Sequence, residues 1–234
     1  MDVGRVFFDD YFHPKRASVV ALASHVGNVA ALVKAWDDTS AYRADYQQLQ
    51  RTRPLLITAA ERHDEAKPNT FRVTVDEKGH WGYSFAGHRF RVPCDDIYVD
   101  ALIKMHHEFS VNGVAERQAR LRRELGESYA RNFPFDLYTL EMCDQVAAEA
   151  ENYAFDKKPD ERVFMELHSR LRGDGSVEVE PFPFASPPLT LAVRHADFSI
   201  TDDLRDAKKL TERLREWQPA DQDWKERTVT LCSP

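Results

Sequence analysis

Cysteine is scarce in this chain of 234 residues: Cys94, Cys143 and Cys232 are the only three, and no CxxC occurs. An odd number of widely spaced cysteines builds neither a disulfide framework nor a zinc finger, and it suits a reducing compartment. Long apolar runs are missing as well. The most apolar stretch, 18–33, is broken by Ser24, His25, Gly27 and Asn28, so nothing approaches the ~20 apolar residues of a membrane helix. The opening MDVGRVFFDD has acids where a signal peptide wants a basic start and an apolar run. A cytoplasmic protein with no membrane partner is expected. A basic excess is also lacking. Lys and Arg number 32 against 39 Asp and Glu, a net charge of −7, which argues against gripping duplex DNA by bulk charge. A local basic groove, or a metal site that handles phosphates, is compatible with it. There is no internal repeat, no low-complexity tract, no GxxxxGK[ST] and no DExD/H box. Paired-carboxylate glycosidase chemistry and Ser-His-Asp catalysis have no local motif either.

What is there is an ordinary globular composition, 42% hydrophobic and 30% charged, rich enough to fill a core. Residues 1–16 read as irregular. Apolar spacing predicts a helix over 17–36 through Val19, Leu22, Val26, Val29, Ala30 and Val33. Further helices are predicted over 41–51 and 55–64, with Pro54 at a start. FRVTV, WGYSF and RFRV within 71–92 read as strands separated by turns at Gly79 and Gly87. Helices resume over 96–108, 115–131 and 136–154. Beyond Pro159 the composition shifts: a helix over 160–171, an extended SVEVEPFPF, a strand LTLAV, a helix over 202–217 and a last strand RTVTL. The expected fold class is mostly α, with a small β-hairpin insertion and a mixed α/β C-terminal appendage. The boundary divides 1–158 from 159–234.

The histidines and aspartates stand at telling places. His25 and Asp144 lie in predicted helices among apolar neighbours; His63-Asp64 and His106-His107 end two others. A buried imidazole or carboxylate needs a partner, because an unpaired buried charge is costly. Helices that each push such groups inward satisfy one another best around a metal. Neutral imidazole suits Mn²⁺, Fe²⁺, Ni²⁺ or Zn²⁺, and two metals about 3.5–4 Å apart activate water and stabilise both oxygens of a phosphoryl displacement.

The order H…HD…H…HH…D resembles the HD superfamily of metal-dependent phosphohydrolases. The segments SHVGNVAALV, HDEAKPNTFR, LIKMHHEFS and MCDQVAAEAE resemble one branch of it, the HD nuclease of type I CRISPR systems, over roughly 18–155. The resemblance implies the superfamily's helical bundle. It implies one metal on His25, His63, Asp64 and Asp144, and a second, bridged by Asp64, on His88, His106 and His107, with His80 nearby as the alternative to His88. The cofactor would be one or two divalent ions (Mn, Ni, Fe, Co or Mg). Asp64 and Lys67 would be catalytic, Lys67 by contacting the phosphate or the bridging carboxylate. The arginine-rich stretch carrying Arg117, Arg120 and Arg123 would line a single-stranded DNA path, or else be a solvated face paired with Glu116, Glu124 and Glu127. Implied partners are single-stranded DNA, a separate CRISPR-associated helicase and a guide-RNA surveillance complex. Two departures stand out: Ala66 replaces the family's usual glycine before the lysine, and the hairpin over 72–92 is unusual. The alternative function is an HD-type nucleotidase or cyclic-phosphate hydrolase.

Overall fold

The computed structural model describes residues 2–36, 46–108, 110–155, 168–171, 177–180 and 189–232. It corrects the expectation of a mostly helical bundle: the fold is mixed α/β. Strands from both ends of the chain join one six-stranded sheet, in the order β1-β2-β7-β8-β6-β5. These are β1 (Val3–Phe8), β2 (Arg16–Ala21), β5 (His168–Leu171), β6 (Val177–Glu180), β7 (Leu189–Ser199) and β8 (Lys225–Cys232). β1, β2, β7 and β8 pair antiparallel in sequence, whereas β6 runs parallel to β8. The boundary expected at 158/159 lies outside the described residues. The strands on either side of it pair directly, with Val19 opposite Ala196.

Two expectations fail at the N-terminus for one reason. Residues 3–8 are a strand rather than irregular, and 16–21 are a strand rather than the first helical turns. Val19 and Val20 are β-branched, which favours an extended backbone, and each finds a register partner in β1 and β7. The helix α1 (Leu22–Ala35) therefore starts directly out of β2.

The remaining helices are α2 (Tyr46–Arg62), α3 (Lys67–Thr70), α4 (Ile97–Met105), α5 (Val111–Leu125), α6 (Glu127–Ala154) and α7 (Ala207–Glu216). α2 runs through Pro54, so the two helices expected there are one. The part of the expectation over 41–45 lies outside the described residues. Similarly, α6 runs through Pro134 and ends N-terminally at Gly126, whose φ of +94° favours a residue without Cβ. The helix break therefore falls at 126, not between 131 and 136. The hairpin β3 (Phe71–Val75) and β4 (Trp81–Phe85) forms as expected, but the third strand, RFRV, is a 3₁₀ turn over His88–Phe90. The helix expected over 160–171 is a strand at 168–171; the rest of it is outside the described residues.

The layers follow from the alternation of the strands. Leu191, Val229 and Leu231 are buried toward the helices, where Val33, Leu56, Leu102 and Leu140 of α1, α2, α4 and α6 fill the main core, while Val193 joins Phe7 and Val20 in a small cluster beside Ala154 and Phe155. The opposite face carries Phe8, Val19 and Phe198 against the hairpin and α7, with Phe71, Leu210 and Leu214. α7 is tied to β3 by Thr211 Oγ1, which accepts from Val73 N at 2.9 Å. α1 is tied to β7 by Ser24 Oγ and Asn28 Nδ2, both donating to Ala192 O at 2.9 Å. Those two bonds set the rotation of α1, and with it the direction of His25.

Candidate metal centre

Every element that brings a ligand does so from a fixed position. His25 points inward from the first turns of α1. His63 and Asp64 follow the last turn of α2, where His63 N still donates to Ala59 O at 2.8 Å. His88 sits in the 3₁₀ turn entered through Gly87, at a φ of +69° that an L-residue adopts only under strain. His106 and His107 close α4, and Asp144 lies in the middle of α6. Ala66 has φ −91°, which alanine adopts freely, so the missing glycine costs nothing here.

These side chains converge in two groups. His25, His63, Asp64 and Asp144 bring one donor atom each within 4.8 Å of the others, and His88, His106 and His107 do the same beside them. Asp64 stands between the groups. Its Oδ2 is 3.3 Å from both His25 Nε2 and His63 Nε2, while its Oδ1 is 3.0 Å from His88 Nε2 and 3.9 Å from His106 Nε2. Asp144 Oδ1 lies 3.0 Å from His25 Nε2 and 3.7 Å from His63 Nε2. Lys67 Nζ pairs with Asp64 Oδ2 and lies 5.1 Å from the Phe85 ring centroid.

The backs of the rings are held as well. His63 Nδ1 and His88 Nδ1 donate to the carbonyls of Ala60 and Phe85 at 2.8 and 2.9 Å, and His106 Nδ1 donates to that of Ile103. His25 Nδ1 meets Glu151 Oε1 at 2.9 Å. A ring nitrogen facing a carbonyl must carry the proton, so the other nitrogen is the one turned to the centre. There, Nε2 of His63, His88 and His106 and both oxygens of Asp64 are buried without a well-formed hydrogen bond among the described residues. Buried polar atoms rarely lack partners. Several of them converging on one point, all nitrogen and carboxylate oxygen, are what a divalent cation takes up. This buried cluster can hold a metal ion.

Charge is distributed accordingly. Burial opposes ionisation of Asp64, but His63, Lys67 and His25 outweigh it and hold its pKa well below the usual carboxylate range. Asp144 is lowered likewise, against burial, by His25 and His63. Burial works against protonated His63 too, yet Asp64 and Asp144 raise it to about 9. Glu151 and the two aspartates raise His25 in the same way. Without a cation, protons on these two rings balance the carboxylates. The other group differs: burial and the neighbouring rings of His107 and His63 push His106 down, and burial lowers His107 to about 4. Both are neutral imidazoles at pH 7, the form that binds metal.

Arg117, Arg120 and Arg123 lie on α5, which contributes no residue to either group. Arg120 pairs with Glu124 at 2.8 Å, on the exposed face. Two acids escaped the sequence reading. Glu151 is fully buried and fixes His25; it also receives Arg5, which reaches Asn152 Oδ1 at 3.1 Å as well. Its signal was its position seven residues after Asp144, on the same helix face. Glu141, three residues before Asp144, shares that face, and burial together with Asp144 and Glu108 pushes its carboxyl up to about 8. No helix among the described residues is long and apolar enough to cross a membrane. No family model, no curated protein and no solved structure matches this chain.

Proposed function

We propose that this protein is a metal-dependent phosphodiesterase of the HD type that cuts single-stranded DNA, as the nuclease of type I CRISPR systems does. The observation that carries the proposal is Asp64, whose two oxygens face two different sets of imidazoles. A carboxylate so placed suits a pair of divalent ions, of which Mn, Ni, Fe, Co and Mg are candidates. A metal pair held there would supply Lewis acidity toward the phosphoryl group and would acidify water.

The chain's own residues then have separable tasks. Asp64, Asp144 and the imidazoles hold the charge and the geometry. Glu151 and the backbone carbonyls orient the rings. Lys67, 9% exposed and paired with Asp64, places a positive charge where negative charge grows on the phosphate oxygens. His107, partly exposed beside buried His106, marks the side from which substrate arrives. Arg117 and Arg123 on α5 are the candidate phosphate contacts outside the centre. Unwinding would fall to a separate helicase, with a guide-RNA surveillance complex presenting the strand.

The test is cleavage of circular single-stranded DNA with Mn²⁺, Ni²⁺ or Mg²⁺ added singly, beside the Asp64→Asn variant shown by circular dichroism to be folded. Metal-dependent linearisation lost in the variant is the expected result. Phosphate release from mononucleotides with the circle left intact would overturn it in favour of a nucleotidase.

A further inference from the structure

One buried acid near the centre has no task in it. Glu141 is 8% exposed, and its Oε1 has no hydrogen-bond partner among the described residues. It lines a groove of about 440 Å³ between α5 and α6, together with Val111, Val114, Gln118, Leu137 and Tyr138. That volume lies within the range of small-molecule pockets. The groove adjoins the metal centre along the chain at two points: Glu141 is one helical turn from Asp144, and Glu108, also on the groove, follows His107.

The walls are apolar and open to solvent. Val111 is 83% exposed and Tyr138 48%. Trp36 meets Tyr138 edge-on at 81°, with ring centroids 6.3 Å apart, which restrains the plane of the tyrosine ring. A slot with flat apolar walls and one buried oxygen at its side matches a flat molecule with a polar edge. A centre that cuts a nucleic acid strand must accommodate beside it what the phosphate carries, a sugar and a base. A purely apolar occupant would cover Val111 and Tyr138 but bring no donor to the Glu141 oxygen.

We propose that this groove is a subsite for an unpaired, amino-bearing nucleobase (cytosine or adenine) next to the scissile phosphate, with Tyr138 as the stacking wall and Glu141 Oε1 accepting the exocyclic N–H. The proposal rests on the nuclease reading of the centre. Above about pH 8, where Glu141 is ionised, its carboxylate accepts from the cytosine amino group in this way, and thymine has no amine to offer. Stacking on an aromatic ring tolerates any base, so Tyr138 sets affinity and Glu141 sets preference.

The test is binding of fluorescein-labelled dC10 and dT10 to the full chain in EDTA at pH 8.5, read by anisotropy, where no cutting interferes. The native protein is expected to favour dC10. Tyr138→Ala should weaken both oligonucleotides on the order of tenfold. Glu141→Leu, which removes the acceptor without leaving a cavity, should erase the preference and spare dT10. Equal binding of dC10 and dT10, or a Tyr138→Ala variant that binds as the native protein does, overturns the subsite. So does a concentration-dependent dimer abolished by Val111→Asp with oligonucleotide binding unchanged. Cutting of the DNA circle without base preference overturns the subsite and leaves the nuclease reading standing. Preferential dC10 binding by a chain that cuts no DNA upholds the subsite and overturns the nuclease reading.

Discussion

His25 Nδ1 lies 2.9 Å from Glu151 Oε1, and both side chains are buried. This contact turns the opposite nitrogen of the ring toward Asp144 and Asp64, and it is made by a carboxylate where His63, His88 and His106 are held by backbone carbonyls. Outer partners of this kind typically change metal affinity by about 10–100-fold. Glu151→Gln is therefore expected to weaken metal binding by that order while the far-ultraviolet circular dichroism stays native. Chelator competition measures it, and unaltered affinity would deny Glu151 its orienting role.

His107 is the partly exposed member of its group, and it belongs only to the set with His88 and His106. His107→Ala should leave the buried set of His25, His63, Asp64 and Asp144 intact. Metal content per chain, measured by mass spectrometry after dialysis, is expected to fall from two toward one. Loss of both ions together would show that the two groups do not load independently.

The metal-free protein should show a stability plateau bounded on both sides. His63 is raised to about 9, so its contribution is fully present below the ordinary histidine pKa of about 6.5 and is lost as pH rises through about 9. Asp64 and Asp144 are lowered. Their contribution is present above the ordinary aspartate pKa of about 3.9 and is lost as pH falls below it. Urea unfolding in EDTA across pH 3–10 checks both slopes. Metal loading at pH 7 should also release protons from His25 and His63, visible as a buffer-dependent heat in calorimetry.

Away from the centre, Tyr98 donates to Asp136 Oδ2 at 2.7 Å, with both residues buried. This bond joins α4, which carries His106 and His107 at its end, to α6, which carries Asp144. Tyr98→Phe removes one donor from a buried carboxylate, and it should cost about 1.5–3 kcal/mol of unfolding free energy. A loss below 0.5 kcal/mol in denaturant titration would show that the bond contributes little.

Much of the centre was legible before folding was considered. His25 and Asp144 sit in apolar helical patterns, where a polar group demands a partner, and His63-Asp64 and His106-His107 end helices, where side chains turn into a core. Glu151 and Glu141 were harder to see, because an acid within LEMCDQVAAEAE reads equally well as a solvated face. Only the tertiary packing of α6 buries them, Glu151 against His25 of α1 and Arg5 of β1, and Glu141 beside α5. Residues 17–21 fit a helical pattern in sequence but form a strand, because Val19 suits helical and extended spacing alike.

Local chemistry, then, determined which residues are available to a metal and on which elements they ride, since ligand type and helix periodicity are properties of short stretches. The tertiary structure decided what no short stretch contains. Strand pairing between 16–21 and 189–199 depends on contacts distant in sequence, so the sheet and the mixed α/β class emerge only on folding. The central position of Asp64 depends on the same kind of contact: its two oxygens can face two sets of imidazoles only after α1, α2, α4 and the turn at His88 have packed around it.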